Sequence, residues 1–138
     1  MSIDSKIKEI NEMFIYFDNP MDKYAQIIDL GKNSKGIIAK LKNENNKIHG
    51  CMSLAWVIIN KNENLYSIQT DSDSLIVKGL LSILEFIINN ETETEIEKLN
   101  LEYILKNIGL EKAITSQRTN GLINALNQIK NYIKNGWQ

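Results

Sequence analysis

The only cysteine and the only histidine of the chain stand two residues apart, Cys51 and His49, within KIHGCMSLAW (Lys47 to Trp56). One thiol and one imidazole so placed do not make a zinc site, which draws on several Cys and His ligands in spaced pairs. An iron–sulfur cluster held by this chain alone needs further thiolates. The seven glycines are scattered, and none forms a phosphate-cradling loop. What survives is cysteine nucleophile chemistry. A free thiol of pKa about 8.5 is only slightly ionised at neutral pH, so a working cysteine needs cationic neighbours, a hydrogen-bonding turn or an activating partner. Gly50, directly before Cys51, permits a turn with positive φ and leaves the approach to the sulfur free of a neighbouring side chain. A Cys-His-Asp hydrolase using Cys51, His49 and Asp71 is conceivable, but the sequence marks neither a substrate pocket nor an oxyanion hole. The competing reading is a non-catalytic protein-binding module in which Cys51 is a structural core residue, since free cysteines are among the most buried residue types. Arg118 also stands out, as the sole arginine among sixteen basic residues. A guanidinium offers a planar, bidentate donor set that lysine lacks.

The rest of the chain has to position these groups. At 138 residues it is most simply one domain, long enough to bury roughly two-thirds of its unfolded surface without disulfides or a structural metal. A single cysteine cannot form an internal disulfide, which fits a reducing compartment. The segment MSIDSKIKEI lacks the apolar core of a signal peptide, and the longest apolar stretches fall short of the ~20 residues of a membrane span. These features lead us to expect a soluble cytoplasmic protein. Sixteen basic and seventeen acidic residues, net charge -1, argue against nucleic acid as the main partner.

Ile3, Ile7, Ile10, Phe14 and Phe17 recur at helical spacing and predict a first helix over residues 3–17. Asn19 as N-cap and the lone Pro20 at the first helical position predict a second helix, with Tyr24, Ile27 and Ile28 inward and Gly31 at its C-cap. Residues 32–47 read as a surface connection with a short turn near Ile37 and Ile38. The β-branched run Ser53 to Asn60, turn material at residues 61–64 and Leu65 to Thr70 predict a hairpin; the segment ahead of Gly50 is a candidate third strand. Asp71-Ser72-Asp73-Ser74 supplies N-caps for a helix over 75–89 so apolar all round that it should be the central buried one. Gly79 inside it costs about 1 kcal/mol against alanine, a cost explained by close approach of another backbone. ETETEIE, residues 91–97, reads as a solvated, acidic helix start with Thr92 or Thr94 as cap. A short helix over 101–106 precedes Gly109, and a last helix over 117–134 turns Leu122, Ala125, Leu126, Ile129 and Ile133 inward, with Ser116 as cap.

The segments HGCMSLAW, TDSDSLIVKGLL and SQRTNGL, in this order and spacing, together with FDNPMDKYAQIIDLG near the N-terminus, resemble the SufE family of cysteine desulfurase activators along essentially the whole chain. The resemblance implies an α+β fold, a small three-stranded antiparallel sheet flanked by helices, related to that of IscU-type scaffolds. It further implies that Cys51 accepts sulfur from the persulfide of a SufS-type cysteine desulfurase, a pyridoxal-phosphate enzyme. The sulfur then passes to a scaffold complex that assembles iron–sulfur clusters. On this reading the chain is an accessory protein rather than an enzyme, and it holds no cofactor. His49, Gly50, Met52 and Ser53 around the cysteine, with Asp71, Ser72, Asp73 and Arg118, are the implied partner-binding positions. Met52 and Leu54 stand where family members often carry glutamine, as in GCQSQVW, and NSKGIIAKLK replaces the proline-rich connection common before the cysteine loop.

Overall fold

The computed structural model describes residues 1–136. Helix α1 (Ile3–Phe14) starts at Ser2, whose hydroxyl accepts the Ser5 N–H, and buries Ile7, Ile10 and Phe14. It ends one turn earlier than the apolar spacing predicts, and Phe17 lies beyond it, half-buried. Helix α2 (Pro20–Asn33) has Asn19 as N-cap, its side chain accepting from the Met21 N–H, and Pro20 at its first position.

Helix α2 does not stop at Gly31. That glycine is instead a crossing point, because a Cβ there would collide with the Leu75 carbonyl oxygen. Reciprocally, a Cβ on Gly79 would collide with the Ile27 carbonyl oxygen. The close backbone approach expected at Gly79 is therefore the α2–α3 crossing, with a glycine on each side. Helix α3 (Leu75–Ile88) is the central one and buries nine residues from Ile76 to Ile88.

Strands β1 (Ala55–Asn62) and β2 (Leu65–Ser72) form the hairpin, in antiparallel register from Ala55 opposite Ser72 to Asn62 opposite Leu65. The third strand is not the segment ahead of Gly50, which contributes only a bridge between Lys47 and Trp56. It is β3 (Glu91–Thr92), paired with Leu65 and Tyr66 on the far edge of β2, so the sheet order is β1-β2-β3. The chain reaches that edge by turning at Asn90, which has φ 62° and donates its N–H to the Tyr66 carbonyl.

This turn also changes the environment of the acidic stretch. Glu91 is buried, its carboxylate 2.6 Å from the equally buried Lys6 Nζ, which donates as well to the Ile87 and Asn89 carbonyls at the end of α3. The first glutamate of ETETEIE thus belongs to the core, and only the following residues form the short helix α4 (Glu93–Glu97), capped by Thr92. Helix α5 (Leu101–Ile108) ends at Gly109 with φ 84°. Helix α6 (Ser116–Asn135) is capped by Thr115 rather than Ser116, the Thr115 hydroxyl accepting from the Arg118 N–H. Its buried stripe is the predicted one, extended by Gly121.

One hydrophobic cluster runs from α1 through the hairpin and α3 to α6. Among the described residues no helix is long and apolar enough to cross a membrane.

Candidate functional site: the Cys51 loop on α6

Residues 48–55 form a closed loop, because the Ile48 N–H donates to the Ala55 carbonyl at 2.8 Å just inside the Lys47–Trp56 bridge. The rear of the loop is tied to the turn that follows β2. The Ser72 hydroxyl donates to the Leu54 carbonyl at 2.7 Å, and the Asp73 N–H donates to the same oxygen at 3.1 Å. The front of the loop lies on α6: Asn124 Nδ2 donates to the Gly50 carbonyl at 2.9 Å, Gln128 Oε1 accepts the His49 N–H at 3.1 Å, and Gln128 Nε2 donates to the Lys47 carbonyl at 2.8 Å. Gly50 has φ +77°, the left-handed conformation expected from its position, and a side chain there would run into the Asn124 amide.

This arrangement sets Cys51 against Gly121, about one turn before Asn124 on α6. A Cβ placed on Gly121 would sit 3.5 Å from the Cys51 sulfur, an ordinary contact distance, so the bare backbone of α6 forms the floor beneath the thiol. Around it opens a cavity of about 220 Å³, walled by Ile48, Leu80, Leu122 and Ala125, with Met52 and Ser53 at the rim and Arg118 on one side. Cys51 is half-buried, packed against the edge of the core rather than within it, and Met52 beside it is 82% exposed.

Arg118 stands in the first turn of α6 with its guanidinium 5.6 Å from the Tyr24 ring centroid. Its Nε is a buried nitrogen without a hydrogen-bond partner, the one such side-chain atom among the described residues. Leaving a buried donor unmade costs about 1–3 kcal/mol, so this one is a feature to be explained rather than packing noise.

The Asp71–Ser74 turn divides its work among its residues. Asp71 is buried; its carboxylate accepts the Ile37 N–H (2.9 Å) and the Ser72 N–H (2.8 Å) and pairs with Lys42 (3.1 Å) and Lys78 (3.5 Å). Burial pushes the Asp71 carboxyl up, but the Ile37 N–H, Lys42, the Ser72 N–H and Lys78 together outweigh it and hold the group below the usual carboxylate range. Asp71 thereby straps the 34–42 segment onto the sheet, which is why Ile37, expected in a surface connection, is buried. Ser72 ties the cysteine loop, Asp73 is exposed, and Ser74 caps α3 by accepting the Val77 N–H.

Of the positions singled out in the sequence, Cys51, Met52, Ser53 and Arg118 meet around one cavity, Gly50 shapes the turn, and Ser72 and Asp73 hold the loop from behind. His49 is exposed and engages α6 through its backbone. Among the described residues no hydrogen bond links the His49 ring to Cys51 or to Asp71, whose carboxylate serves Ile37, Ser72, Lys42 and Lys78, so the Cys-His-Asp arrangement is not assembled. Gly121, Asn124 and Gln128 were not singled out. Their spacing of three and four along α6 is the signal that places them on one face, beside the apolar stripe.

Comparison with known proteins agrees with this geometry. The SufE profile, described as an Fe-S metabolism associated domain, matches residues 8–133. An uncharacterised SufE-like protein of Rhizobium etli is 31% identical over 134 residues, covering 94% of this chain and 90% of that one. A second from Rhizobium meliloti is 30% identical over 130 residues, covering 91% and 93%. The chloroplastic/mitochondrial SufE-like protein 1 of Arabidopsis thaliana is 31% identical over 123 residues, which are 88% of this chain but 33% of the plant protein. The solution structure of a hypothetical protein from Thermus thermophilus shares the fold, with a TM-score of 0.74 over 95% of each chain at 16% identity. With the match spanning the helices, the hairpin and the cysteine loop alike, the chain belongs to the SufE family and to the Fe-S metabolism that the family serves.

Proposed function

We propose that this protein is the sulfur acceptor and activator of a SufS-type cysteine desulfurase, carrying persulfide sulfur on Cys51 to an iron–sulfur cluster assembly scaffold. The observation that carries the reading is the placement of Cys51: a half-buried thiol on a loop, over a glycine floor, in an apolar cavity with a guanidinium in its wall. A core cysteine needs no cavity and no cation. A hydrolase needs a base on the sulfur, which the His49 ring does not provide.

The chemistry is exchange between a thiolate and a persulfide. Cys51 gives up its proton and attacks the outer sulfur of the donor; the donor S–S bond breaks, a new S–S bond forms on Cys51, and the donor cysteine leaves as a thiolate that takes up a proton. No oxidant, metal or cofactor enters the balance, so this chain acts as an accessory protein. Arg118, which lines the same cavity, supplies positive charge near the sulfur. The apolar walls limit access of oxidants to a species that otherwise climbs the oxidation ladder. The exposed Met52, Leu54 and Asp73 face the desulfurase, whereas Ser72 acts from inside by holding the loop and Asp71 by fixing Ile37 and Lys42 against the sheet.

The test is intact-mass measurement after incubation with a SufS-type desulfurase and cysteine, with Cys51→Ser alongside. A reductant-labile gain of sulfur on the parent protein and none on the variant is the expected result. A parent protein that gains no sulfur from an active cognate desulfurase, or a serine variant that stimulates desulfurase turnover fully, sinks the reading.

A further inference from the structure

The segment between α2 and the cysteine loop plays no part in the sulfur chemistry, and it is where the sequence departs from the SufE pattern. Residues 32–47 carry five lysines, Lys32, Lys35, Lys40, Lys42 and Lys47, against the single acid Glu44. That is a net +4 in a chain of net charge -1, so the rest of the molecule carries -5. A local field opposite in sign to the remainder of the surface attracts one kind of partner and repels the other. Lys42 is engaged by Asp71 at 3.1 Å and lies over the Trp56 ring at 5.5 Å. Lys32, Lys35 and Lys40 are exposed, and among the described residues none of them stands within ion-pair distance of a carboxylate. Beside them Ile38 is 67% exposed. The segment is nonetheless fixed in place. Asp71 accepts the Ile37 N–H, and Gly36, with φ +68°, lies so near the Asp71 carboxylate that a Cβ would collide with it. Ile37 is buried beneath, which turns Ile38 outward. The chain then runs into the Lys47–Trp56 bridge at the foot of the cysteine loop. Ser72, next to the anchor Asp71, holds the rear of that loop through the Leu54 carbonyl.

We propose that residues 32–42 form a basic docking strap for an acidic surface of the cysteine desulfurase, with Lys32, Lys35 and Lys40 steering the encounter and Ile38 holding the complex once formed. The identity of the partner rests on the sulfur-acceptor reading. A partner seated over the exposed Met52 and Leu54 meets the strap next, through the Asp71-Ser72 pair that ties both segments down. Charge free of intramolecular partners accelerates association, whereas a pre-placed apolar side chain slows dissociation. The same lysines suit a membrane surface less well. An interfacial anchor needs an amphipathic helix with a continuous apolar face, and here there are only three-residue 3-10 turns at Ala39–Leu41 and Glu44–Asn46.

The experiment is stopped-flow association of the full chain with its cognate SufS-type desulfurase at low and high salt, without free cysteine, so that no sulfur moves. The parent is expected to associate about fivefold faster or more at the low-salt end. The variant Lys32→Gln/Lys35→Gln/Lys40→Gln is expected to associate about fivefold slower or more at low salt and to lose most of the salt dependence. Lys32→Arg/Lys35→Arg/Lys40→Arg keeps the charge and is expected to stay within about twofold of the parent. Lys8→Gln/Lys98→Gln, which removes two exposed lysines outside the strap, is expected to match the parent. Ile38→Ser is expected to dissociate about threefold faster or more with its association rate unchanged. Sedimentation with phosphatidylglycerol vesicles tests the membrane alternative. The proposal is overturned if the glutamine variant associates at the parent rate with the parent's salt dependence, or if the Lys8/Lys98 control slows as much. It is equally overturned if the strap lysines are needed for vesicle binding and not for desulfurase association. Those results leave sulfur uptake by Cys51 intact. A desulfurase that binds through the strap but gives no reductant-labile mass gain defeats the sulfur-acceptor reading alone, and a desulfurase that does not associate with the parent at any salt defeats both.

Discussion

Replacing Asp71 by asparagine separates a residue that holds the site from one that meets the partner. The side chain is 6% exposed and serves two N–H donors and two lysines. Removing one member of a buried ion pair costs about 3–5 kcal/mol. Lys42 and Lys78 keep 33% and 19% of their side chains in solvent and recover part of their hydration, which places the expected loss at the lower end, about 3 kcal/mol. For a chain of 138 residues the unfolding entropy is about 0.3 kcal/mol/K, so the thermal midpoint should fall by about 10 °C. Because the folded Asp71 carboxyl lies below its unfolded value, its stabilisation is fully present above about pH 4 and is lost as pH falls through the lower, folded value. The gap between parent and Asp71→Asn should therefore be constant from pH 8 to pH 5 and close in stronger acid, where the protonated acid and the amide are nearly alike. Calorimetric melts across that range test it. A midpoint within about 1 °C of the parent at pH 7, or a gap that persists undiminished once the carboxylate is protonated, refutes the reasoning.

Glu85 carries the opposite sign. Burial raises its carboxyl despite the Thr70 hydroxyl that donates to it, so ionisation works against the fold, and Glu85→Gln should gain on the parent as pH rises above about 4 and equal it below. Denaturant titrations at pH 4 and pH 8 would show the gap opening, and a variant less stable at pH 8 would contradict it. Lys6→Met leaves Glu91 buried without its partner and should cost about 3 kcal/mol or more, with Glu91→Gln in the same chain restoring much of the loss. Additive losses in the double variant would count against a true pair. Arg118→Lys retains the charge but loses the buried Nε and its planar seat near Tyr24. It should leave the melting temperature within about 2 °C while reducing stimulation of a cognate desulfurase about tenfold; activation equal to the parent's would remove Arg118 from the proposed mechanism.

The elements set by local pattern were legible in the sequence, and the contacts made across the fold were not. The apolar stripes of α1, α3 and α6, the Asn19-Pro20 start of α2 and the Gly50 turn follow from spacing and backbone preference alone. Gly79 was legible because a glycine inside so apolar a helix has few other reasons to be there. The third strand was not, since β3 has two residues, too few to show a period, and one of them is a glutamate. Its burial depends on Lys6, 85 positions away, and on the turn at Asn90. Gly31 misled for a related reason: a glycine near a helix end usually caps it, whereas here the missing Cβ makes room for α3. Within the site, Cys51 and Arg118 stood out as the single members of their kinds. Asn124 and Gln128 did not, because an amide on a polar helix face looks solvated until the loop that lies on it is known.

The chemistry of those amides bears on why the loop is fastened this way. An ion pair across the same gap would hold a cysteine loop with a strength that varies with salt and pH, and its charge would sit beside the sulfur. Two neutral amides do neither. They fix residues 49–51 in register against α6, Asn124 from an exposed position and Gln128 from a half-buried one. The charged anchors, Asp71 with its two lysines and Lys6 with Glu91, lie instead under the rear of the site and at the far edge of the sheet.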